Sequence, residues 1–264
     1  MNFASYNIQY GFGLDGRYDL ARIARSLEGA DVIALQEVTR GFSRNGFADM
    51  VADVAGFFPD YLWVYGPACD MHVEAAEGRL QPVPGTRFQF GNMVLSRWPI
   101  VSTRTLLLPR SRTIGKINPQ RGATEAVIAA PGGAIRVYSV HLDHVSADER
   151  IRQLEFLNTH INAFVREGGS LTGGGEFDLP EPPLPEDYVI MGDFNMEPES
   201  PEYARSPVLA ADITAAWRGS ARRSTPLRRW RLTLRGATAG WILRIAANAC
   251  ISIIVSSVVA CRAD

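Results

Sequence analysis

The sequence predicts an α/β fold built on a mixed β-sheet, or on two sheets, with helices outside. Three observations lead there. Near the N-terminus, strand-like and helix-like stretches alternate: an apolar-alternating run at 2–8, a helical pattern from Leu20 to Glu28, then Val32-Ile-Ala-Leu35. Further on, strand-like stretches at about 101–108, 122–129 and 134–141 follow one another directly, the last two joined by the turn Pro131-Gly132-Gly133. Neighbouring strands joined by turns exclude a purely parallel sheet. The third observation is size: 264 residues, 46% hydrophobic, can bury the core of one large domain or two small ones.

Taken in order, the strand at 2–8 closes near Asn7, and Gly11, Gly13 and Gly16 make the turn after it. Asp19 caps the first helix, whose Leu20, Ile23, Ala24 and Leu27 share one face. A second strand runs from Asp31 to Val38 and ends at Gln36 and Glu37. A short helix near 46–55 and a strand near 61–65 come next, and 66–90 reads as a surface loop for want of periodicity. Strand character resumes at Gly91. Ser146 and Glu149 form a capping box before a helix at 147–166, with Ile151, Leu154, Leu157 and Ile161 at helical spacing. A Gly-, Pro- and acid-rich stretch at 168–187 reads as a mobile loop leading into the strand at 188–192.

Four predicted strand ends carry polar groups: Asn7, Glu37, His141 with Asp143, and Asp193 with Asn195. Residues two apart point to one side of an extended chain, so Asp193 and Asn195 are presented together where α/β proteins place their chemistry. Asp193 can take a proton from water and Asn195 can hold an oxygen in place. Mg²⁺ suits this inventory, because it binds through one or two carboxylates, waters and substrate phosphate. Mn²⁺ is the alternative ion.

Ser5-Tyr-Asn-Ile8, Leu35-Gln-Glu-Val38, Gly91-Asn-Met-Val-Leu-Ser-Arg97 with Pro99-Ile100, Val140-His-Leu-Asp143 and Gly192-Asp-Phe-Asn195 occur in this order. Together they resemble the endonuclease/exonuclease/phosphatase superfamily of metal-dependent phosphoesterases. The resemblance implies a four-layer sandwich, two mixed sheets face to face with helices outside, and metal-assisted attack of water on a phosphate ester. It implies Glu37 as the principal metal ligand with Asn7 shaping that site. Asp193 would orient or deprotonate the water, steadied by Asn195, and His141 would stand near the scissile phosphate. Asp143, Arg121, His144 and Asn118 are candidates for the pocket lining, with a structural role equally open. His160 lies within a helical pattern and reads as structural.

Net charge divides unevenly. Residues 1–211 hold 18 Arg and Lys against 26 Asp and Glu, a net −8; residues 212–264 hold nine Arg against two Asp, a net +7. An acidic body with no basic stripe does not favour nucleic acid, although Arg97, Arg104, Arg110, Arg112, Lys116 and Arg121 offer phosphate contacts along one edge. The substrate class therefore stays open between nucleic acid and a small molecule or lipid head group, and no protein partner is indicated. Cys69, Cys250 and Cys261 suggest neither a disulfide framework nor a zinc module. No secretory signal precedes the first strand, and the expected location is the cytoplasm.

The resemblance covers residues 1 to about 200. The family closes on a strand bearing Ser-Asp-His, but this sequence has no histidine after His160, and Asp264 is the sole acidic residue after Asp212. The expected organisation is a catalytic domain over 1–217, incomplete at its C-terminal end, and an atypical tail over 218–264, basic and then apolar. Three origins fit the tail: a reading frame that slips past about Trp217, a membrane-associating segment, and an ordinary amphipathic ending that packs onto the body. Ile245 to Ala260 is shorter than the ~20 residues a span requires. The frame-slip reading implies a hydrolase of weak turnover, or an inactive copy acting as a binding module. The membrane reading implies a lipid phosphodiesterase.

Overall fold

Two mixed β-sheets stack face to face in the computed structural model, which describes residues 1–72, 87–196, 200, 202, 235–237, 240–244 and 252–256, the last three segments as backbone. The first sheet contains β1 (Asn2–Asn7), β2 (Val32–Arg40), β3 (Leu62–His72), β4 (Arg87–Ser96), β9 (Arg235–Ala237) and β10 (Gly240–Arg244), in the order β3-β4-β2-β1-β10-β9. The second contains β5 (Ile100–Leu107), β6 (Gly122–Ala130), β7 (Gly133–His141), β8 (Tyr188–Asp193) and β11 (Ser252–Ser256), in the order β11-β8-β7-β6-β5. Helices α1 (Leu20–Ser26) and α2 (Met50–Phe57) cover the first sheet, and α3 (Ala147–Glu167) covers the second.

Period-two alternation along the central strands builds three apolar layers from one chain. Ile33 and Leu35 of β2 join Leu20, Ile23, Met50 and Val51 under the first pair of helices. Val32 and Ala34, one step out of phase, face Val137, Val189 and Met191 between the sheets. Tyr138, Val140 and Ile190 turn the other way and meet Leu154, Leu157 and Ile161 of α3. The helices start where capping residues stand: Asp19 accepts from the Arg22 N–H, Asp49 from Ala52 and Ser146 from Glu149.

A polar clamp also joins the sheets. Asn92 on β4 donates at 2.8 Å to the carbonyls of both Gly122 and Ser139, and Gln36 donates to the Ser139 hydroxyl at 3.0 Å. Asn92→Ala removes both of these buried hydrogen bonds, so its expected cost is about 1–3 kcal/mol, read as a lower denaturant midpoint with unchanged slope.

Two expectations from sequence are corrected. Residues 66–72 and 87–90 are not loop: β3 continues to His72 and pairs antiparallel with β4, with a register shift between Pro67 and Cys69. Gly66, Pro67 and Ala68 carry little strand propensity, and pairing overrides it. Gly91 lets the two backbones approach, since a Cβ there would lie 2.2 Å from the Gly66 oxygen. Strand β2 does not stop at Glu37 either, but runs on to Arg40 across a bulge. Residues 73–86 fall outside the described residues, as does most of 218–264. Within 218–264, the described segments pair as β9, β10 and β11.

Candidate active site

The topology gathers the polar strand ends at one edge of both sheets. β1 and β2 are parallel, with Asn7 opposite Gln36, and β7 and β8 are parallel, with His141 opposite Asp193. Gly122 opens β6 opposite His141, so the preceding residue, Arg121, reaches the same edge. That register follows from the Pro131-Gly132 turn, which makes Ala130 the partner of Gly133 and fixes every pair back to Gly122.

Glu37 is brought in by the bulge. Gln36 points between the sheets, so strict alternation would turn Glu37 toward the helices. The register slips between Leu35 and Val38, Glu37 takes a φ of 62°, and its carboxylate comes to Asn7 instead. Asn195 also has a left-handed backbone, φ 49°. Residues held this way cluster at functional sites. Gly192 precedes Asp193 where a Cβ would lie 1.9 Å from the Val140 oxygen. Gly192→Ala is therefore expected to cost about 2–4 kcal/mol by pushing β8 off β7, measured by thermal or urea unfolding.

Asn7 joins the two carboxylates. Its Nδ2 donates to Glu37 Oε1 at 3.0 Å and to Asp193 Oδ2 at 2.7 Å, while its Oδ1 accepts the Gln9 N–H at 3.0 Å. The Asn7 amide oxygen thus faces the backbone, and the side chain serves as a bracket between the two carboxylates. The other oxygen of Asp193 accepts the Asn195 N–H at 2.9 Å, and the Asn195 carboxamide donates to the Leu142 carbonyl. His141 Nε2 lies 3.9 Å from Glu37 Oε1 and 3.8 Å from Asp193 Oδ2.

Arg121 is buried beside them. Its Nη1 meets His141 Nε2 at 2.8 Å and its Nη2 meets His144 Nδ1 at 2.7 Å. A guanidinium only donates, so both imidazole nitrogens accept and His141 carries its proton on Nδ1. Among the described residues no carboxylate lies within ion-pair distance of Arg121. Asp143, by contrast, accepts the Val145 and Ser146 N–H groups with Oδ2 and shapes the turn into α3. Asn118 gives its backbone oxygen to Arg110. His160 donates from Nδ1 to the Phe156 carbonyl and stacks on the Phe156 ring, the structural place expected of it.

Burial sets the electrostatics. It pushes the Glu37 carboxyl up to about 7, against the Asn7 hydrogen bond and the Arg121 charge, with Asp193 adding to the rise. Burial also raises Asp193. His141 is held well below the ordinary imidazole range by burial and then by Arg121, and His144 is lowered by the same two causes. Two walls escaped the sequence reading. Phe90 lies 5.8 Å from the His141 ring and under Arg121, and Tyr10 rests on Phe42 and Phe90. The available signal was Phe90 beside Gly91, in a strand aimed at the same edge.

Among the described residues no group of three or more His, Cys, Asp or Glu side chains is arranged to hold a metal ion unaided. Two desolvated carboxylates bracketed by one amide are instead what an ion that keeps several waters needs. The residues present fit such a cation, since it would offset the burial that now raises both carboxyls.

This four-layer sandwich, with carboxylates, histidines and an arginine that has no carboxylate at ion-pair distance among the described residues, defines a class of α/β proteins equipped for phosphate chemistry. The chain belongs to the Endonuclease/Exonuclease/phosphatase family, whose sequence pattern matches residues 4–243. Among solved structures it is similar to an endonuclease/exonuclease/phosphatase from Beutenbergia cavernae, with TM-score 0.59, 18% identity, and 92% of this chain and 70% of that one covered. It is also similar to humanized D. rerio TDP2, with TM-score 0.55, 16% identity, and 92% and 97% covered. A mannosyl-6-phosphatase from Bacteroides thetaiotaomicron has TM-score 0.50, 16% identity, and 78% and 70% covered. At these identities the likeness is one of fold. No curated protein sequence matches the chain.

Proposed function

We propose that the chain hydrolyses phosphate esters by attack of water at phosphorus, supported by a divalent cation, with Mg²⁺ preferred and Mn²⁺ accepted. The observation that carries this reading is the convergence of Glu37 and Asp193 on one Asn7 amide, beside a buried arginine that has no carboxylate partner among the described residues. A buried guanidinium with no carboxylate in direct contact is costly, and a phosphate would supply that contact.

Glu37 would hold the cation, with Asp193 close by. The cation supplies charge neutralisation at the phosphoryl oxygens and helps to place the water. Asp193 takes the proton from that water. Both its oxygens are fixed, by Asn7 and by the Asn195 N–H, so the lone pair is aimed before the substrate arrives. Its raised proton affinity suits a base that works near neutrality. Arg121 neutralises a non-bridging oxygen, and the neutral His141 lies at the phosphate with its orientation set by Arg121. Asp143 supports the turn that carries His144.

One observation favours a second reading. This sequence holds no histidine after His160, so the Ser-Asp-His that resemblance leads one to expect is absent from it. On that reading the chain binds a phosphate ester and turns it over slowly or not at all. Turnover of bis(p-nitrophenyl) phosphate with Mg²⁺ separates the two, run beside a version of the chain carrying a Ser-Asp-His ending. Turnover in the chain itself supports the hydrolase. Turnover only with the added ending supports the binding module, and none in either sinks the hydrolytic reading.

A further inference from the structure

The loop from Pro109 to Gln120, between β5 and β6, exposes two isoleucines. Ile114 is 90% and Ile117 78% exposed, and they flank Gly115 and Lys116 at the tip. The base is tightly tied. Leu108 N–H donates to the Arg121 carbonyl, the Gln120 amide donates to the Leu108 and Arg121 carbonyls, and Ser111 N–H donates to both oxygens of the buried Glu149. The Gln153 amide donates to the Pro109 carbonyl, and at the tip Thr113 donates to the Lys116 carbonyl. An apolar tip on a braced stem stays in water because the stem holds it there, away from any core.

Charge points the same way. From Leu107 to Thr124 the sequence has no Asp or Glu, whereas Arg110, Arg112 and Lys116 are exposed in an otherwise acidic body. None of the three has a carboxylate within ion-pair distance among the described residues. Cations around exposed aliphatic side chains match the two layers of an anionic membrane surface: head-group phosphates outside, acyl chains just beneath. A nucleic acid would be met instead by rings that stack on bases, and the tip has none.

We propose that this loop docks the protein on anionic lipid bilayers, Ile114 and Ile117 entering the acyl boundary while Arg110, Arg112 and Lys116 meet head-group phosphates. The docking stands apart from the hydrolytic reading and does not need it. The base of the loop runs directly into Arg121, which meets His141 in the candidate site, so a docked loop would bring that site to the lipid surface.

The test is co-sedimentation of the full chain with phosphatidylcholine vesicles, with and without phosphatidylserine. The expected result is binding that depends on phosphatidylserine. It should weaken about tenfold or more in Arg112→Ser/Lys116→Ser, each cation contributing about fivefold. It should weaken about tenfold in Ile114→Ser/Ile117→Ser, whose melting temperature stays that of the parent because both side chains are exposed. Vesicle binding that survives both double variants would place the contact elsewhere, for instance in residues 245–260, and overturn the proposal. So would an absence of vesicle binding, or binding to duplex DNA that needs the cations but not the isoleucines.

Discussion

Replacing Asp193 with asparagine is expected to lower kcat/KM for a phosphodiester by about 10²–10⁴-fold, the range of a lost general base. The substitution keeps the shape of the side chain but leaves one oxygen, so it can accept from the Asn195 N–H or from the Asn7 amide and not from both. What it removes is the lone pair able to take a proton at neutral pH. Stability should change little, because neutralising a buried carboxyl raised by desolvation offsets the hydrogen bond that is lost. Steady-state kinetics with urea unfolding on the same preparation separates a chemical loss from a folding one. A variant that turns over like the parent would remove Asp193 from the chemistry.

Glu37 yields a prediction of the opposite kind, a gain of stability from removing a site residue. Its carboxyl is raised in the folded chain from 4.5 to about 7. Folding therefore favours its protonated form, a contribution fully present below about 4.5 and lost as pH rises through about 7. Glu37→Gln lacks this loss. Without divalent ion, it should exceed the parent by about 3 kcal/mol above pH 7 and match it at acid pH, a shift of two to three pKa units at about 1.4 kcal/mol each. Asp193 titrates in the same sense, whereas His141 and His144, both lowered, favour the folded state as pH rises through the range below 6.5. Only the difference between variant and parent isolates Glu37. Mg²⁺ should narrow that difference by stabilising the parent alone. Urea unfolding across pH, with and without Mg²⁺, checks both statements, and a flat difference curve would mean that burial does not strain Glu37.

The parts of this fold that were legible in the sequence are those where local pattern and tertiary need agree. Helix α3 shows its apolar face, its capping box and its length, and it spans Ala147–Glu167 against an expected 147–166. The hairpin of β6 and β7 is announced by Pro131-Gly132-Gly133 and ends on His141 as expected. The β3–β4 pairing was hidden because Gly66, Pro67 and Ala68 have poor strand propensity. That pairing depends on Gly91, whose missing side chain lets the strands approach. For the site, residue identities were legible but orientations were not. Glu37 could be placed at a strand end, yet only a bulge with a left-handed residue turns it toward Asn7. The direction of the Asn7 amide depends on the Gln9 N–H, in a turn whose Gln9 and Tyr10 both take positive φ. Arg121 reads from sequence as a pocket-lining candidate and phosphate contact, but its burial between two imidazoles depends on the β6–β7 register.

The central claim is that Glu37 and Asp193, 156 positions apart in the chain, act as one hydrolytic centre. A kinetic cycle over Glu37→Gln, Asp193→Asn and the double variant, assayed with Mg²⁺ on one phosphodiester, tests it most directly. Groups that act as a unit are not additive, so the double variant should be no slower than the worse single variant within about threefold. Two losses that multiply, or a single variant with the parent's turnover, would contradict a shared centre.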